Sequence, residues 1–342
     1  MPVHNFERPK GKTETIAVDS KALRGNLLGD PSVRNVAVYL PEGYDESGEP
    51  LPLFVDLVGF TGSGFSHLAW KPFGESVPQR VDRLVAAGRM GPVVAAFPDC
   101  FTSLGGNQYV NSLATGMWED FLVGEMLPAL EDRFHVRKGA AGRAVFGKSS
   151  GGYGSIVHGM KHADTWGAVA CHSGDMAFDL VYRNDFPKVL DRLAKFDRDY
   201  RKFLDHIESV EKIDGDDFHV LMTLAMAATY DPDPKGYKGI RLPVDLETCE
   251  LDEERWAAWL AHDPVRMVHR EDCLDNLRRL QGLYIDCGFK DQYHLHYGAR
   301  RFTGTLDEAG IEYRYEEFED DHSSVDYRMD VSLPYLYESL QR

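Results

Sequence analysis

Ser149 stands in the string Gly147-Lys148-Ser149-Ser150-Gly151, the G-x-S-x-G pattern that suits a serine displayed on a sharp turn between a strand and a helix. A serine hydroxyl is a weak nucleophile until a histidine removes its proton, and the histidine needs an acid to orient it. Two residues further along supply those roles in the order Ser, Asp, His. Asp291 follows the apolar run GLYIDCG, and His322 follows EYRYEEF. Asp286 is the rival acid; its place at a strand end also suits a residue that braces the loop. The oxyanion formed during attack needs two backbone donors. Ser150, directly after the nucleophile, offers one N–H, and Phe60 in the glycine-rich LVGFTGSGF offers the other.

The same string also satisfies a phosphate-binding loop, G-x-x-x-x-G-K-[ST], over Gly142 to Ser149. Such a loop needs a strand before its first glycine and free amides between the two glycines. Here HVRKGAA precedes Gly142 and the intervening residues are the apolar RAVF, which reads as a strand. The elbow fits better. Other residues suggest pocket walls: Trp118, Trp70 and Tyr109, His172 at the end of WGAVACHS, and His296. His294 and His296 form an H-x-H, but at the start of a helix positions i and i+2 diverge, so a shared metal is disfavoured.

The elements that must hold these residues alternate between strands and helices, the rhythm of an α/β sheet. Strands are predicted at 33–40, 51–58, 92–97, 143–146, 166–173, 282–288 and 312–318. Helices are predicted at 77–88, at 117–134 with a kink at Pro128, at 152–162, over 295–309 and at the C-terminus. From about 176 to 262 the pattern changes to charged helical segments, then the apolar LMTLAMAA with Met222 and Met226 as further wall candidates, then Pro- and Gly-punctuated turns. We read this stretch as a helical cap inserted into one α/β domain spanning 1–342.

Composition excludes several classes. Lys and Arg number 38 against 55 Asp and Glu, a net charge of −17, which repels nucleic acid and anionic membranes. No stretch reaches the ~18 apolar residues of a membrane span. The opening MPVHNFERPKGKTETIAV lacks the apolar core of a signal peptide. Five scattered cysteines without a CxxC suit reduced thiols. A cytoplasmic protein acting on a small-molecule ester is the expectation, with homo-oligomerisation left open.

With these residues assembled, the chain resembles the putative-esterase family of α/β-hydrolases, which includes S-formylglutathione hydrolases, enterochelin-type esterases, feruloyl esterases and mycolyltransferases. The likeness runs through VRNVAVYLPEGYD, LFVDLVGFTGSG, YVNSLATGMWEDFLVGEMLPAL, VFGKSSGGYGS, WGAVACHSGD, LYIDCGFKDQYHLHYGARRF and FEDDHSSVDYRM. It covers about 15–180 and 262–342 and is nearest to enterochelin-esterase-like proteins. It implies an α/β-hydrolase fold with a mostly parallel sheet, Ser149 as nucleophile, Asp291 as acid, His322 as base, and Phe60 and Ser150 as oxyanion donors. No cofactor and no metal are implied. Two departures stand out: family elbows often read G-H-S-M-G-G, whereas Lys148 and Ser150 stand here, and the insertion is long. The expectation is a serine carboxylic-ester hydrolase. The alternatives are an acyltransferase or thioesterase of the same chemistry, a P-loop nucleotide-binding protein, and a catalytically dead scaffold.

Overall fold

The computed structural model describes residues 4–342. Eight strands form the central sheet in the order β1-β2-β4-β3-β7-β8-β9-β10. They are β1 (Lys12–Asp19), β2 (Val33–Leu40), β3 (Leu53–Leu57), β4 (Val94–Pro98), β7 (Arg143–Lys148), β8 (Ala168–His172), β9 (Gly282–Gly288) and β10 (Arg314–Phe318). A small separate hairpin joins β5 (Asn111–Ser112) to β6 (Gly116–Met117). The β1–β2 and β2–β4 pairs are antiparallel, and every pair from β4 to β10 is parallel. Strands β3, β4, β8 and β9 are buried along their whole length. That is why they appear in the sequence as short unbroken apolar runs rather than as alternations. Strand β1 carried no such run and escaped the sequence reading.

Each face of the sheet builds its own core. On one face Tyr39, Phe54, Phe97 and Phe146 pack with Val81 and Leu84 of α1 (Val77–Ala86) and with Leu333 and Leu336 of α13 (Met329–Ser339). On the other face Val55, Val145 and Val169 meet Ile156 and Met160 of α4 (Ser150–Lys161). The helix read at 117–134 has a different interior from the expected one. It runs as α2 (Trp118–Asp120), a π-helical stretch Phe121–Met126, and α3 (Leu127–Arg133). Pro128 produces no break, and the chain stays helical through it from the π-helical stretch into α3. The strain appears upstream, where the Leu127 amide reaches back to the Leu122 carbonyl.

Between β8 and β9 the chain runs through α5 (Phe178–Val181), α6 (Phe186–Leu193), α7 (Tyr200–Ser209), α8 (Gly215–Tyr230), α9 (Glu253–Leu260), α10 (Pro264–Met267) and α11 (Glu271–Arg279). The last of these packs on α4. After β9 comes α12 (Leu295–Glu308), closed by Gly310 at φ +64. The segment between β8 and β9 shares one continuous core with the sheet, through Phe178, Tyr182, Tyr230 and Trp259. Its start is tied to its end by Asp263, whose carboxylate accepts the Ala177 and Phe178 amides at 3.0 and 2.8 Å. The five cysteines are all free thiols. No helix among the described residues is long and apolar enough to cross a membrane.

Candidate active site

Parallel pairing aligns the carboxyl ends of the strands. Leu57 of β3 lies opposite Gly147 of β7, Lys148 opposite His172 of β8, and His172 opposite Asp286 of β9. The loops that leave those ends therefore converge, the usual place for a site in such sheets. At the end of β7 the chain turns within a single residue. Ser149 adopts φ 57° and ψ −124°, a conformation that L-residues hold only under constraint, and α4 starts at Ser150. Glycine is required on both sides. A Cβ at Gly147 would strike the Leu57 carbonyl and the Gly151 backbone, and one at Gly151 would strike the carbonyls of Leu57 and Val58. The Ser149 amide donates to the His172 carbonyl at 2.9 Å, and Tyr153 N donates to the Ser149 carbonyl at 2.8 Å. Because Arg143–Lys148 is paired with β3 on one side and β8 on the other, its amides serve the sheet. They cannot wrap a phosphate, so the P-loop geometry is not present.

The loops after β9 and β10 are joined backbone to backbone. Phe289 N donates to the Phe318 carbonyl at 3.0 Å, and Lys290 N to the Asp320 carbonyl at 3.1 Å. This brings Asp291 and His322 together, with Asp291 Oδ2 2.8 Å from His322 Nδ1. The other oxygen of Asp291 accepts the Tyr293 amide at 2.9 Å, and the side chain is 2% exposed. Gln292 Oε1 takes the His322 amide, and the Tyr293 ring lies edge-on to the imidazole at 4.9 Å. With Nδ1 engaged, Nε2 is the ring nitrogen left for chemistry.

Ser149, His322, Phe60 and Ser150 all line one cavity of about 300 Å³. The loop carrying Phe60 is fixed by its carbonyls: Tyr109 hydroxyl donates to Val58 O at 2.6 Å and Gly106 N to Phe60 O at 2.7 Å. Ser150 opens α4, so its amide has no intrahelical acceptor. The remaining wall combines Val181, Tyr182, Phe218, Met222 and Tyr293 with the polar Ser66, His67, Lys148, Asp175 and Asp326. His67 is held by the buried Asp56 at 2.5 Å, and Asp326 by Lys71 at 2.5 Å. Burial pulls the Lys148 ammonium below its ordinary pKa, against the pull of Asp326 and Asp291. Burial raises the Asp175 carboxyl to about 6, although hydrogen bonds from Tyr182 and Gln108 favour its ionised form.

Three residues expected at the pocket are elsewhere. Trp118 is fully buried, gives its Nε1–H to the Thr115 carbonyl at 2.8 Å, and lies under the Arg34 guanidinium. It is a core residue. His172 points to the α13 face, with Nδ1 2.7 Å from Asp286 and Nε2 2.9 Å from Ser332 Oγ. His296 is 6% exposed and packs on Tyr297 at 4.2 Å, outside the cavity. Trp70 is 69% exposed, beside His4, and Tyr109 acts from behind the Phe60 loop. Of the two methionines, Met222 lines the cavity while Met226 is buried against Gln108. Asp286 also accepts Arg328 Nε at 2.8 Å and the Tyr284 hydroxyl at 2.9 Å. Its carboxyl is held below its ordinary value because the charges of His172 and Arg328 outweigh the burial that pushes it up.

Sequence reasoning missed Asp175 and His67. The one available signal for Asp175 was a charged residue in the turn directly after a buried strand.

The model of the family described as "Putative esterase" matches residues 31–332. An esterase of Mycobacterium tuberculosis is 28% identical over 162 residues, 45% of this chain and 31% of that protein, so the chain matches about a third of the length of the curated relatives. A ferulic acid esterase structure superposes with a TM-score of 0.61 at 19% identity, over 97% of this chain and 100% of its own. S-formylglutathione hydrolase from Staphylococcus aureus gives 0.57 at 15% identity, over 97% and 99% of the two chains. Its counterpart from Agrobacterium tumefaciens gives 0.57 at 16%, over 98% of each. The fold is that of the α/β-hydrolases.

Proposed function

The chain belongs to the Putative esterase family, and from that premise we propose that it hydrolyses carboxylic esters through an acyl-enzyme on Ser149. The observation that carries this reading is a serine on a strained strand–helix turn sharing one cavity with a histidine whose Nδ1 is held by a buried aspartate. Ser149 Oγ attacks the ester carbonyl while His322 Nε2 accepts its proton. Asp291 keeps the proton on Nδ1 and offsets the positive charge that develops on the ring. The amides of Phe60 and Ser150 receive the oxyanion. Collapse expels the alcohol, which takes the proton from His322. Water, deprotonated by the same imidazole, then releases the acid.

The helices between 176 and 262 act as a cap that shapes the acyl side of the cavity; Val181, Tyr182, Phe218 and Met222 are its contribution to the wall. The test of the reading is kinetic. Ser149→Ala and His322→Ala should each lower kcat on the order of 10⁴-fold, and the double variant should lose little more, since members of one unit are not additive. Turnover in folded Ser149→Ala comparable to the parent overturns the proposal.

A further inference from the structure

Asp175 lies in the turn just after β8 and lines the cavity, 7% exposed yet part of the wall. Its Oδ2 accepts the Tyr182 hydroxyl at 2.8 Å and Gln108 Nε2 at 3.3 Å. Both donors are neutral. Among the described residues Oδ1 has no donor and no salt bridge reaches the carboxylate; of the basic groups it is the His322 imidazole whose charge favours its ionised form. A buried carboxylate normally has a cation or a full set of donors, because leaving it without them costs several kcal/mol. Lys148 does not serve: the carboxylates that act on it are Asp326, Asp291 and Asp321. Beside Asp175 the cavity carries the rings of Tyr182, which donates to it, and Tyr293, while Phe218 lies in the same wall against Phe60. Aromatic faces attract organic cations, most strongly where water is excluded.

We infer that the part of the cavity around Asp175 is a binding site for an organic cation, an ammonium or trimethylammonium group carried on the acyl portion of the ester. Asp175 supplies the countercharge, and the rings of Tyr182 and Tyr293 supply the wall beside it. The inference rests on the proposed esterase activity for its kinetic test, and on binding alone for its second test.

The charged or titratable groups that face Asp175 are Tyr182 and Tyr230 from the insertion, Tyr153 from α4, Cys171 from β8, Tyr293 and Asp291 from the loop after β9, and His322 from the loop after β10. The kinetic test compares p-nitrophenyl γ-trimethylammoniobutyrate with the ester of its neutral tert-butyl isostere. The cationic ester should show a kcat/KM on the order of tenfold higher, the size of one charge-assisted contact. The ratio of the two divides out the titration of the base they share. It should rise with pH through about 6 as Asp175 ionises, then level off. In Asp175→Asn the ratio of the two should fall to near unity at every pH. A residue that merely held Tyr182 in place would lower both esters together.

Binding of butyltrimethylammonium, measured by calorimetry at pH 8, should be present in the parent and lost in Asp175→Asn. If the variant does not fold, the pH course of the ratio in the parent decides. Equal handling of the two esters, a flat ratio, or no binding of the quaternary ammonium overturns the inference. Failure to turn over either ester while butyltrimethylammonium binds counts against the esterase reading and leaves the cation site standing.

Discussion

Two aspartates stand near the end of one strand, Asp286 within β9 and Asp291 in the loop after it, and only Asp291 is placed to orient the proposed base. Asp291 touches His322, whereas Asp286 is occupied by His172, Arg328 and the Tyr284 hydroxyl. Asp291→Asn should therefore lower kcat on the order of 10⁴-fold with little change in stability, because the amide favours the wrong tautomer of the imidazole. Asp286→Asn should leave most of the turnover but lower Tm, since it leaves a buried imidazole and guanidinium without their shared partner. Paired kinetics and thermal melts of the two variants read this directly; the larger kinetic loss at Asp286 would make it the acid. That Ser149 and His322 share one cavity, with Asp291 on the imidazole, was legible in the sequence because each is a reactive residue type in a recognisable place, an elbow or a loop just past a strand. His172 occupied such a place too and was misread. Which face of the sheet a strand-end side chain takes depends on its packing, and here Ser332 of α13 and Asp286 draw the ring away from the cavity. Asp175 was not legible, because what a lone aspartate between glycine and methionine faces depends on Tyr182 and Tyr293, which come from distant parts of the chain.

At the scale of elements, the crossing of β7 into α4 places Ser149, the proposed nucleophile. Gly151→Ala would force a methyl against the Leu57 and Val58 carbonyls, which are themselves fixed in the sheet end and the Phe60 loop. Overpacking of this kind costs about 1–3 kcal/mol or more. The expected outcome is a clear drop in Tm together with loss of turnover; an alanine variant with parental Tm and kcat would contradict the elbow geometry. The insertion calls for a gentler probe than removal, because its aromatic residues complete the same core as the sheet. Phe218→Ala and Met222→Ala in α8 should shift acyl-chain preference toward longer or bulkier esters while the serine stays reactive to a small fluorophosphonate. An unchanged ester profile would remove α8 from the acyl wall. The parallel strands were readable as apolar runs between turn signals. The edge strand β1 was not, since KTETIAVD is mostly exposed and owes its form to pairing with β2. Nor was the π-helical stretch, which periodicity alone cannot tell from ordinary helix.

For the whole molecule, the net charge of −17 makes a field that gathers cations and repels anions. Most of the basic residues near the catalytic loops are already neutralised: Arg300 by Glu317, Arg301 by Asp179, Arg328 by Asp286 and Glu316. Local charge therefore does not reverse the global sign, apart from Lys148 beside the nucleophile. Cationic esters should thus outperform matched carboxylated ones in kcat/KM, and the gap should narrow between low and high salt as the Debye length shrinks. A preference for the carboxylated ester that weakens with salt would mean that Lys148 governs entry. Beneath these questions of selectivity lies the nucleophile itself. The most direct measurement is stoichiometric reaction with a fluorophosphonate, followed by peptide mass spectrometry and assay of residual ester turnover. The account predicts modification of Ser149, with turnover lost in step with labelling. Turnover that survives complete labelling of Ser149, or inactivation that maps to another residue, would contradict it.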